Sequence, residues 1–268
     1  MGGARLSSGV DVRIDRCHSA RDERDWLARE TRAEQDELRV LFCHYREPAV
    51  IFGLSQRPDT ALQRRLDKAG VDWMRRRAGG GTVYAGPWLL GVSVILPSYH
   101  PMTALEPVQA YRWFGGLWQR ALGALGCPSQ LPDRASISAS QQQARDQGVN
   151  WACYGALGHG ELASDEAVPR KILGIAQVRT RTSSTLVAGL NLTAVDWPLL
   201  CELLARPAIQ GTQLKRKTAS LAELVRVGDS ATAEALANRI EPIFVAALRR
   251  AAAVADASSH VHPVRHIQ

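Results

Sequence analysis

A segment rich in arginine and glycine is the first stretch of the chain whose residue types suggest a binding or catalytic role. Residues 74–84 read MRRRAGGGTVY, and the arginines and glycines are Arg75, Arg76, Arg77, Gly79, Gly80 and Gly81. Three consecutive glycines cost backbone entropy and add no side-chain packing, so a simple turn does not need them. They allow the backbone to run close against another group, and the arginines suggest that this group is anionic. The alternative for the arginines is a strand edge protected by charge.

The cysteines lack the spacing of a metal site or a disulfide framework. They are odd in number, scattered, and form no CxxC pair: Cys17, Cys43, Cys127, Cys153 and Cys201. The pattern predicts reduced thiols, mostly buried, with one of them available for reaction, and no metal site.

Length and composition indicate a globular protein built on one large domain. The chain has 268 residues, of which 46% are hydrophobic and 22% charged. Its longest apolar run, residues 88–96, is much shorter than the roughly 20 residues that span a bilayer. The N-terminal residues lack the apolar stretch of a secretory signal. We therefore expect a cytoplasmic protein that has no membrane partner.

The net charge of +7 and the isoelectric point near 9.5 raise the question of nucleic-acid binding. The arginines, however, are interleaved with acidic residues, as in RDERDWLARETRAEQDELR at residues 21–39. An acidic protein partner explains this balance as well as a nucleic acid does. We predict no nucleic-acid partner.

Hydrophobic patterns predict alternating helices and strands in the first half of the chain. These are a helix at 20–39, two strands joined by a turn within 38–56, a helix at 60–70 and a strand at 71–77. The inward side chains of the first helix are predicted to be Trp26, Leu27 and Leu38. Gly70 is predicted to end the second helix.

The second half is predicted to mix strands and helices without a regular βαβ rhythm. The elements are a buried strand at 89–97, a helix at 104–126 with its aromatic face inward, a polar loop at 128–150 and a hairpin at 171–193, and after Asp196 three helices at 197–205, 220–225 and 231–254. This order favours an α+β fold with a largely antiparallel sheet.

Four stretches, in order, resemble the lipoate–protein ligase and octanoyltransferase family, which shares its fold with biotin–protein ligases. They are AVIFGLSQ, RRRAGGGTVY, RKILGIAQVR and TASLAEL, and the resemblance runs from about Glu37 to Leu248. It implies an α+β catalytic domain at residues 20–255, with a mostly antiparallel sheet and packed helices. An N-terminal extension at 1–19 and a disordered tail at 256–268 complete the expected organisation.

The resemblance also implies a site beside the glycine loop, where the family binds an octanoyl or lipoyl chain in a tunnel. Lys171 matches the lysine signature and can place a positive charge on an acyl carbonyl, a phosphate or an oxyanion. The alternative for Lys171 is a solvated surface lysine. The acyl- or nucleotide-binding positions carried over from the motifs are Arg75, Arg76, Gly79, Gly80, Gly81, Tyr84, Gly174, Ala176 and Gln177.

Residues 152–162, ACYGALGHGEL, resemble the segment that holds the nucleophilic cysteine in one octanoyltransferase branch. Cys153 has Glu161 and Leu162 at the spacing of that branch. A thiol needs help to act as a nucleophile, and Lys171 is the natural cationic neighbour if the fold brings the two together. The alternative for Cys153 is a buried, small apolar residue.

The favoured function is acyl transfer from an acyl carrier protein, through Cys153, to a lysine of a lipoyl-domain protein. The expected acceptors are the E2 subunits of 2-oxoacid dehydrogenases and the glycine cleavage H protein. A first alternative is an ATP-dependent lipoate–protein ligase without the accessory domain, which would use ATP and magnesium. No cofactor is expected to be bound permanently. A second alternative is a non-catalytic paralogue, because Ala85 and Ala188 occupy positions where the family usually has histidines.

Overall fold

Two β-sheets covered by helices make up the structure, a computed structural model that describes residues 11–33, 37–225 and 232–259. The strands are β1 (Val12–Cys17), β2 (Leu38–His44), β3 (Ala49–Phe52), β4 (Asp72–Arg75), β5 (Val83–Ala85), β6 (Leu89–Pro97), β7 (Ser129–Gln130), β8 (Leu162–Ser164), β9 (Lys171–Arg179) and β10 (Ser183–Asn191).

The larger sheet has the strand order β1-β2-β6-β10-β9-β8-β7, and the smaller one has the order β4-β3-β5. The β1–β2 and β3–β4 pairs are parallel, and the other strand pairs are antiparallel. The predicted α+β fold with a mostly antiparallel sheet is confirmed.

The helices are α1 (Ala20–Glu30), α2 (Thr60–Lys68), α3 (Pro107–Ala124), α4 (Arg134–Asp146), α5 (Trp197–Leu203), α6 (Ala208–Lys217), α7 (Leu221–Leu224) and α8 (Ala233–Ser259). The side chain of Asp59 caps α2 by accepting a hydrogen bond from the backbone of Leu62, and Gly70 follows the helix at φ +66°. The aromatic residues Phe114 and Trp118 of α3 are fully buried, as predicted.

Strand β6 lies inside the large sheet, between β2 and β10, and every one of its residues is buried. Its side chains pack alternately into two hydrophobic cores, because successive residues of a strand point to opposite faces of the sheet. Val92 and Val94 pack in the core that α3 and α8 cover, where the rings of Trp118 and Phe244 stack 4.2 Å apart. Ile95 packs in the core on the other side, with α1 and the small sheet.

Several boundaries differ from the sequence expectation. The prediction of a loop at 128–150 was wrong, because this segment contains β7 and α4. Helix α4 has few apolar residues and buries only Ile137 and Ala144. The first helix ends at Glu30, and Leu38, expected on that helix, begins β2. Here strand pairing with β1, in which Leu38 pairs with Val12, outweighs helical periodicity.

The chain ends also differ from the predicted domain limits. Residues 12–17 of the predicted N-terminal extension form β1, which pairs with β2 at the edge of the large sheet. Helix α8 continues to Ser259, into the predicted tail, and residues 260–268 lie outside the described residues.

A buried carboxylate ties α8 to the first two strands. Glu241 Oε2 accepts a hydrogen bond from Arg16 at 2.9 Å, and Oε1 lies 2.5 Å from His44 Nε2. Burial acts to raise the pKa of Glu241, but the hydrogen bonds and charges of His44 and Arg16 outweigh it and leave the pKa below its ordinary value.

Replacing Glu241 with glutamine should lower the free energy of unfolding by about 1–3 kcal/mol near neutral pH. A carboxyl with a lowered pKa contributes stability above its unfolded pKa and loses it as the pH falls through the folded value. Urea denaturation should therefore show the difference from wild type shrinking below the ordinary pKa of 4.5. Glu47→Gln, at an exposed position, is the matched control. A pH-independent difference would contradict the assignment.

Candidate active site

A mostly apolar cavity opens between α1, the small sheet and one face of the large sheet. The interior space that a water-sized molecule can enter measures about 120 Å³. Ala176 and Val178 of β9 and Val187 of β10 form part of its wall, and Leu27 of α1 lies among its lining residues. Arginines 75–77 also line it. The cavity therefore combines an apolar interior with cationic side chains.

Three glycines lie side by side on neighbouring strands beneath this cavity. In the strand register, Gly189 of β10 pairs with Gly91 of β6 on one side and with Gly174 of β9 on the other. Larger residues close over the row: a Cβ on Gly91 would lie 2.5 Å from the Tyr45 hydroxyl, and one on Gly174 would lie 3.4 Å from Cys153 Sγ. A side chain at Gly91 would therefore displace Tyr45, whereas a methyl group at Gly174 would be in ordinary contact with Cys153.

Cys153 lies at one end of this row, in a short 3-10 turn over residues 153–155. Its side chain lines the cavity and is partly exposed, whereas Cys17, Cys43, Cys127 and Cys201 are buried. All five thiols are free, as predicted. The Cys153 backbone N–H donates to the carbonyl of Thr82 at 2.8 Å, which fixes the turn beside the glycine-rich loop.

Lys171, the first residue of β9, is only 3% exposed, so its reading as a solvated surface lysine was wrong. Its Nζ lies 2.6 Å from Glu161 Oε2 and donates to the carbonyls of Cys153 at 2.6 Å and Ala156 at 2.9 Å. These three acceptors use all three N–H groups of the ammonium. The structure thus joins Lys171 to the backbone of Cys153, although Lys171 itself does not line the cavity.

Glu161 is held as firmly as its cationic partner. Besides Lys171, Oε2 accepts from the backbone N–H of Gly158 at 2.6 Å, and Oε1 accepts from that of Ile175 at 3.2 Å. Glu161 was selected in the sequence by its distance of eight residues from Cys153. The structure shows that its partner is Lys171. The result is a neutral, buried ion pair under the cysteine turn.

The glycine-rich loop meets the cysteine turn directly. A Cβ on Gly81 would lie 2.5 Å from the carbonyl oxygen of Trp151 and 2.6 Å from the backbone nitrogen of Cys153. Gly80 has φ +95°, and the Arg76 guanidinium donates to the carbonyls on either side of it, at Gly79 and Gly81. Unlike Arg75 and Arg76, the three glycines do not line the cavity. Gly81 admits protein backbone where room for an acyl chain was expected.

The Gln56 side chain connects the parts of this junction. Its Nε2 donates to the carbonyl of Trp151, and its Oε1 accepts from the Gly53 N–H and the Thr82 hydroxyl. The glutamine of the AVIFGLSQ motif is therefore a structural link between the small sheet, the glycine-rich loop and the cysteine turn.

The remaining predicted positions divide between the cavity and its surroundings. Gly174 and Ala176 line the cavity. Tyr84 and Gln177 lie outside it: the Tyr84 ring packs on Trp88, and the Gln177 side chain donates to Ser184. On an alternating strand Gln177 points away from Ala176, which explains its absence from the cavity.

A second, more open cleft lies on the other side of the cysteine turn. Tyr154 borders both spaces, and Lys171 borders the second one, together with Arg216 and Lys217 of α6. This cleft was not predictable from the sequence, because it depends on α4 and α6, two helices whose apolar patterns are weak. The cysteine turn therefore separates two recesses.

Neither a metal site nor a membrane span is found in the part of the chain that the structure describes. Among those residues, no three His, Cys, Asp or Glu side chains are placed to hold a metal ion. None of the described helices is both long and apolar enough to cross a bilayer.

Similar folds occur in several solved structures. Protein Ta0514 of T. acidophilum with bound lipoic acid is 18% identical, with a TM-score of 0.63, over 89% of this chain and 85% of that one. A lipoate-protein ligase A bound with ATP is 17% identical, with a TM-score of 0.61, over 89% and 85%. The bi-partite lipoate protein ligase of Thermoplasma acidophilum, described together with its E2 lipoyl domain, is 17% identical, with a TM-score of 0.63, over 89% and 84%.

A search of curated proteins gives no match. The family model of the lipoyl protein ligase A/B catalytic domain, by contrast, matches residues 20–244. That range holds the cavity, the cysteine turn and the buried Lys171–Glu161 pair. The chain belongs to the lipoyl protein ligase A/B catalytic-domain family and is a protein-lipoylation enzyme at the level of that family.

Proposed function

We propose that the protein transfers an octanoyl or lipoyl group from an acyl carrier protein to a lysine of a lipoyl-domain protein, through a thioester on Cys153. The observation that carries this proposal is the position of Cys153. Of the five cysteines, it alone is not buried, and it lies at one end of an apolar cavity suited to an acyl chain.

The transfer takes two steps of thioester chemistry. In the first, the Cys153 thiolate attacks the carrier's thioester carbonyl; a new carbon–sulfur bond forms, and the carrier leaves as a thiolate that takes up a proton. In the second, the neutral amine of the acceptor lysine attacks the Cys153 thioester. The amide forms, Cys153 leaves as a thiolate, and the proton lost by the amine restores the thiol. Two transfers of modest barrier thus replace one difficult amide-forming step.

Lys171 acts as a positioning residue in this scheme. Its three N–H groups are bonded to protein acceptors, and Glu161 balances its charge. By holding the carbonyls of Cys153 and Ala156, it fixes both ends of the turn that presents the thiol. Direct donation to an acyl carbonyl, as the family resemblance implied, would require one of these bonds to exchange.

The ATP-dependent route remains the second candidate because of the arginines beside the cavity. Arg75 and Arg77 are exposed, and guanidinium groups bind phosphate oxygens well. In that route an acyl-adenylate would form from free lipoate or octanoate and ATP, with magnesium. The acceptor would again be a lipoyl domain.

Intact-mass spectrometry distinguishes the two routes. After incubation with octanoyl carrier protein, wild type should gain one octanoyl group, which hydroxylamine removes as it does thioesters. Cys153→Ser should show no such adduct, and Cys17→Ser, the matched control, should behave as wild type. A wild-type protein that forms no adduct but releases pyrophosphate from ATP with free lipoate would replace the transferase with the ligase. Binding of octanoyl carrier without turnover by either route would favour a non-catalytic paralogue.

A further inference from the structure

Two of the buried cysteines lie side by side on neighbouring strands. Cys17, the last residue of β1, pairs with Cys43 of β2 in the parallel register, and both side chains enter the core between the large sheet, α1 and the small sheet. Paired Cα atoms of neighbouring strands lie about 4.8 Å apart, which is within the range that a disulfide spans. No spacing motif marks these two cysteines in the sequence, because only the strand register brings them together.

The two thiols share one hydrogen-bond acceptor. The Ser19 carbonyl accepts from Cys43 Sγ at 3.5 Å and from Cys17 Sγ at 3.9 Å. It also accepts from the backbone N–H of Glu23 in the first turn of α1, at 3.1 Å. The Cys43 thiol interacts directly with that of Cys17 as well. The reduced protein therefore holds the two sulfur atoms next to each other.

Their surroundings give the two thiols different parts in a reaction. Cys17 is 8% exposed, whereas Cys43 is fully buried. Burial, the contact with Cys17 and the charge of Glu23 raise the pKa of the Cys43 thiol far above its ordinary value, so Cys43 does not ionise by itself. An oxidant therefore reaches Cys17 first, and Cys43 is the neighbour that can react with the oxidised sulfur.

We propose that Cys17 and Cys43 are a modification site, which a peroxide converts into a disulfide between β1 and β2. Neither residue lines the acyl cavity. The site is therefore separate from the proposed acyl transfer and does not depend on it.

The oxidation balances with one molecule of hydrogen peroxide. The Cys17 thiolate attacks one peroxide oxygen and the O–O bond breaks, which leaves a sulfenic acid on Cys17 and releases the other oxygen as water. The Cys43 sulfur then attacks the Cys17 sulfur, and the S–S bond forms. The Cys43 proton passes to the departing hydroxide, which leaves as a second water. The two thiols lose two electrons in total, and the peroxide gains them.

The disulfide changes how the edge of the large sheet is held. β1 is the edge strand, and its neighbour in the sheet is β2. A bond between residues 17 and 43 closes a loop that contains the whole of α1, which restricts the unfolded chain. The oxidised protein should therefore melt roughly 5 °C higher than the reduced protein.

Intact-mass spectrometry of the Cys153→Ser variant tests the site, because this substitution removes the partly exposed thiol that competes for the oxidant. After treatment with hydrogen peroxide, the protein should lose about 2 Da, the mass of two hydrogen atoms. Two fewer thiols should then react with iodoacetamide in denaturant, and peptide mapping should recover one linked pair, Cys17 with Cys43. Dithiothreitol should reverse all three changes.

Cys17→Ala and Cys43→Ala in the same background should not form the disulfide. Cys127→Ala, the matched control at another buried thiol, should form it. Oxygen added to Cys17 without a link to Cys43, or a link between other cysteines, would overturn the modification site. Peptide mapping without any cysteine substitution gives the same answer even where a variant fails to fold. A disulfide that leaves the melting temperature unchanged or lower would overturn its role in holding β1.

Discussion

Lys171→Met is expected to lower the free energy of unfolding by about 3–5 kcal/mol, because it leaves Glu161 charged and buried without its cation. The same substitution releases the carbonyls of Cys153 and Ala156, which Lys171 Nζ now holds. A misplaced nucleophile should slow transfer at saturating carrier by roughly 100-fold. Octanoate binding should change little, since Lys171 does not line the acyl cavity.

The double variant Lys171→Met/Glu161→Leu separates stability from catalysis. Replacing both members of a buried ion pair with apolar residues should recover much of the lost stability. Transfer should stay slow, because the cysteine turn remains unsupported. Lys215→Met, at an exposed lysine of α6, is the matched control and should stay within about 0.5 kcal/mol of wild type. Full activity in the stabilised double variant would show that Lys171 has only a structural role.

Gly81→Ala should also lower both the stability of the protein and the rate of acyl transfer, although it adds only a single methyl group. The new Cβ would lie 2.5–2.6 Å from backbone atoms of residues 151–153, and backbone cannot rotate away as a side chain can. We expect a loss of about 1–3 kcal/mol in the free energy of unfolding. The displaced turn should slow acylation of Cys153 by roughly 100-fold in the mass-spectrometric assay.

Gly79→Ala is the internal comparison for this prediction. Gly79 belongs to the same loop, but a Cβ there meets nothing within 4 Å, and its φ is not in the left-handed region. The variant should retain stability and acylation close to wild type. Equal behaviour of the two variants would show that the contact between Gly81 and the cysteine turn does not matter for activity.

Elements with strong apolar patterns were predictable from the sequence. The sequence correctly predicted strands β6, β9 and β10 and helix α3. Each of them buries apolar side chains in a core, and the apolar residues follow the pattern typical of a strand or of a helix. Helices α4 and α6 were missed because each buries only two residues. The cap formed by Asp133, whose side chain accepts from Ser136, was the available signal for α4.

Which strands pair with each other was less predictable. β2 and β3 are joined by a short turn and were expected as successive strands, yet they belong to different sheets. The local sequence shows that a segment alternates as a strand does, but it says little about which strand will pair with it. The contact between Gly81 and residues 151–153 was unpredictable for the same reason, because it joins segments far apart in the chain.

The candidate site was predicted in its residue types more than in its contacts. Cys153, Lys171 and Glu161 were singled out and do lie together, but the direction of the Lys171 ammonium depends on carbonyls that no side-chain pattern shows.

The contact between Arg16 and Glu241 has a consequence for how the protein is made. The two residues are 225 positions apart, and they hold together the first strand and the last helix of the described chain. A contact of such long range forms late, because loop-closure entropy must be overcome before the contact contributes. During synthesis β1 emerges among the first segments but cannot dock against its helical partner until residue 241 has left the ribosome. Through that interval the nascent chain exposes the apolar sheet face that α8 will cover.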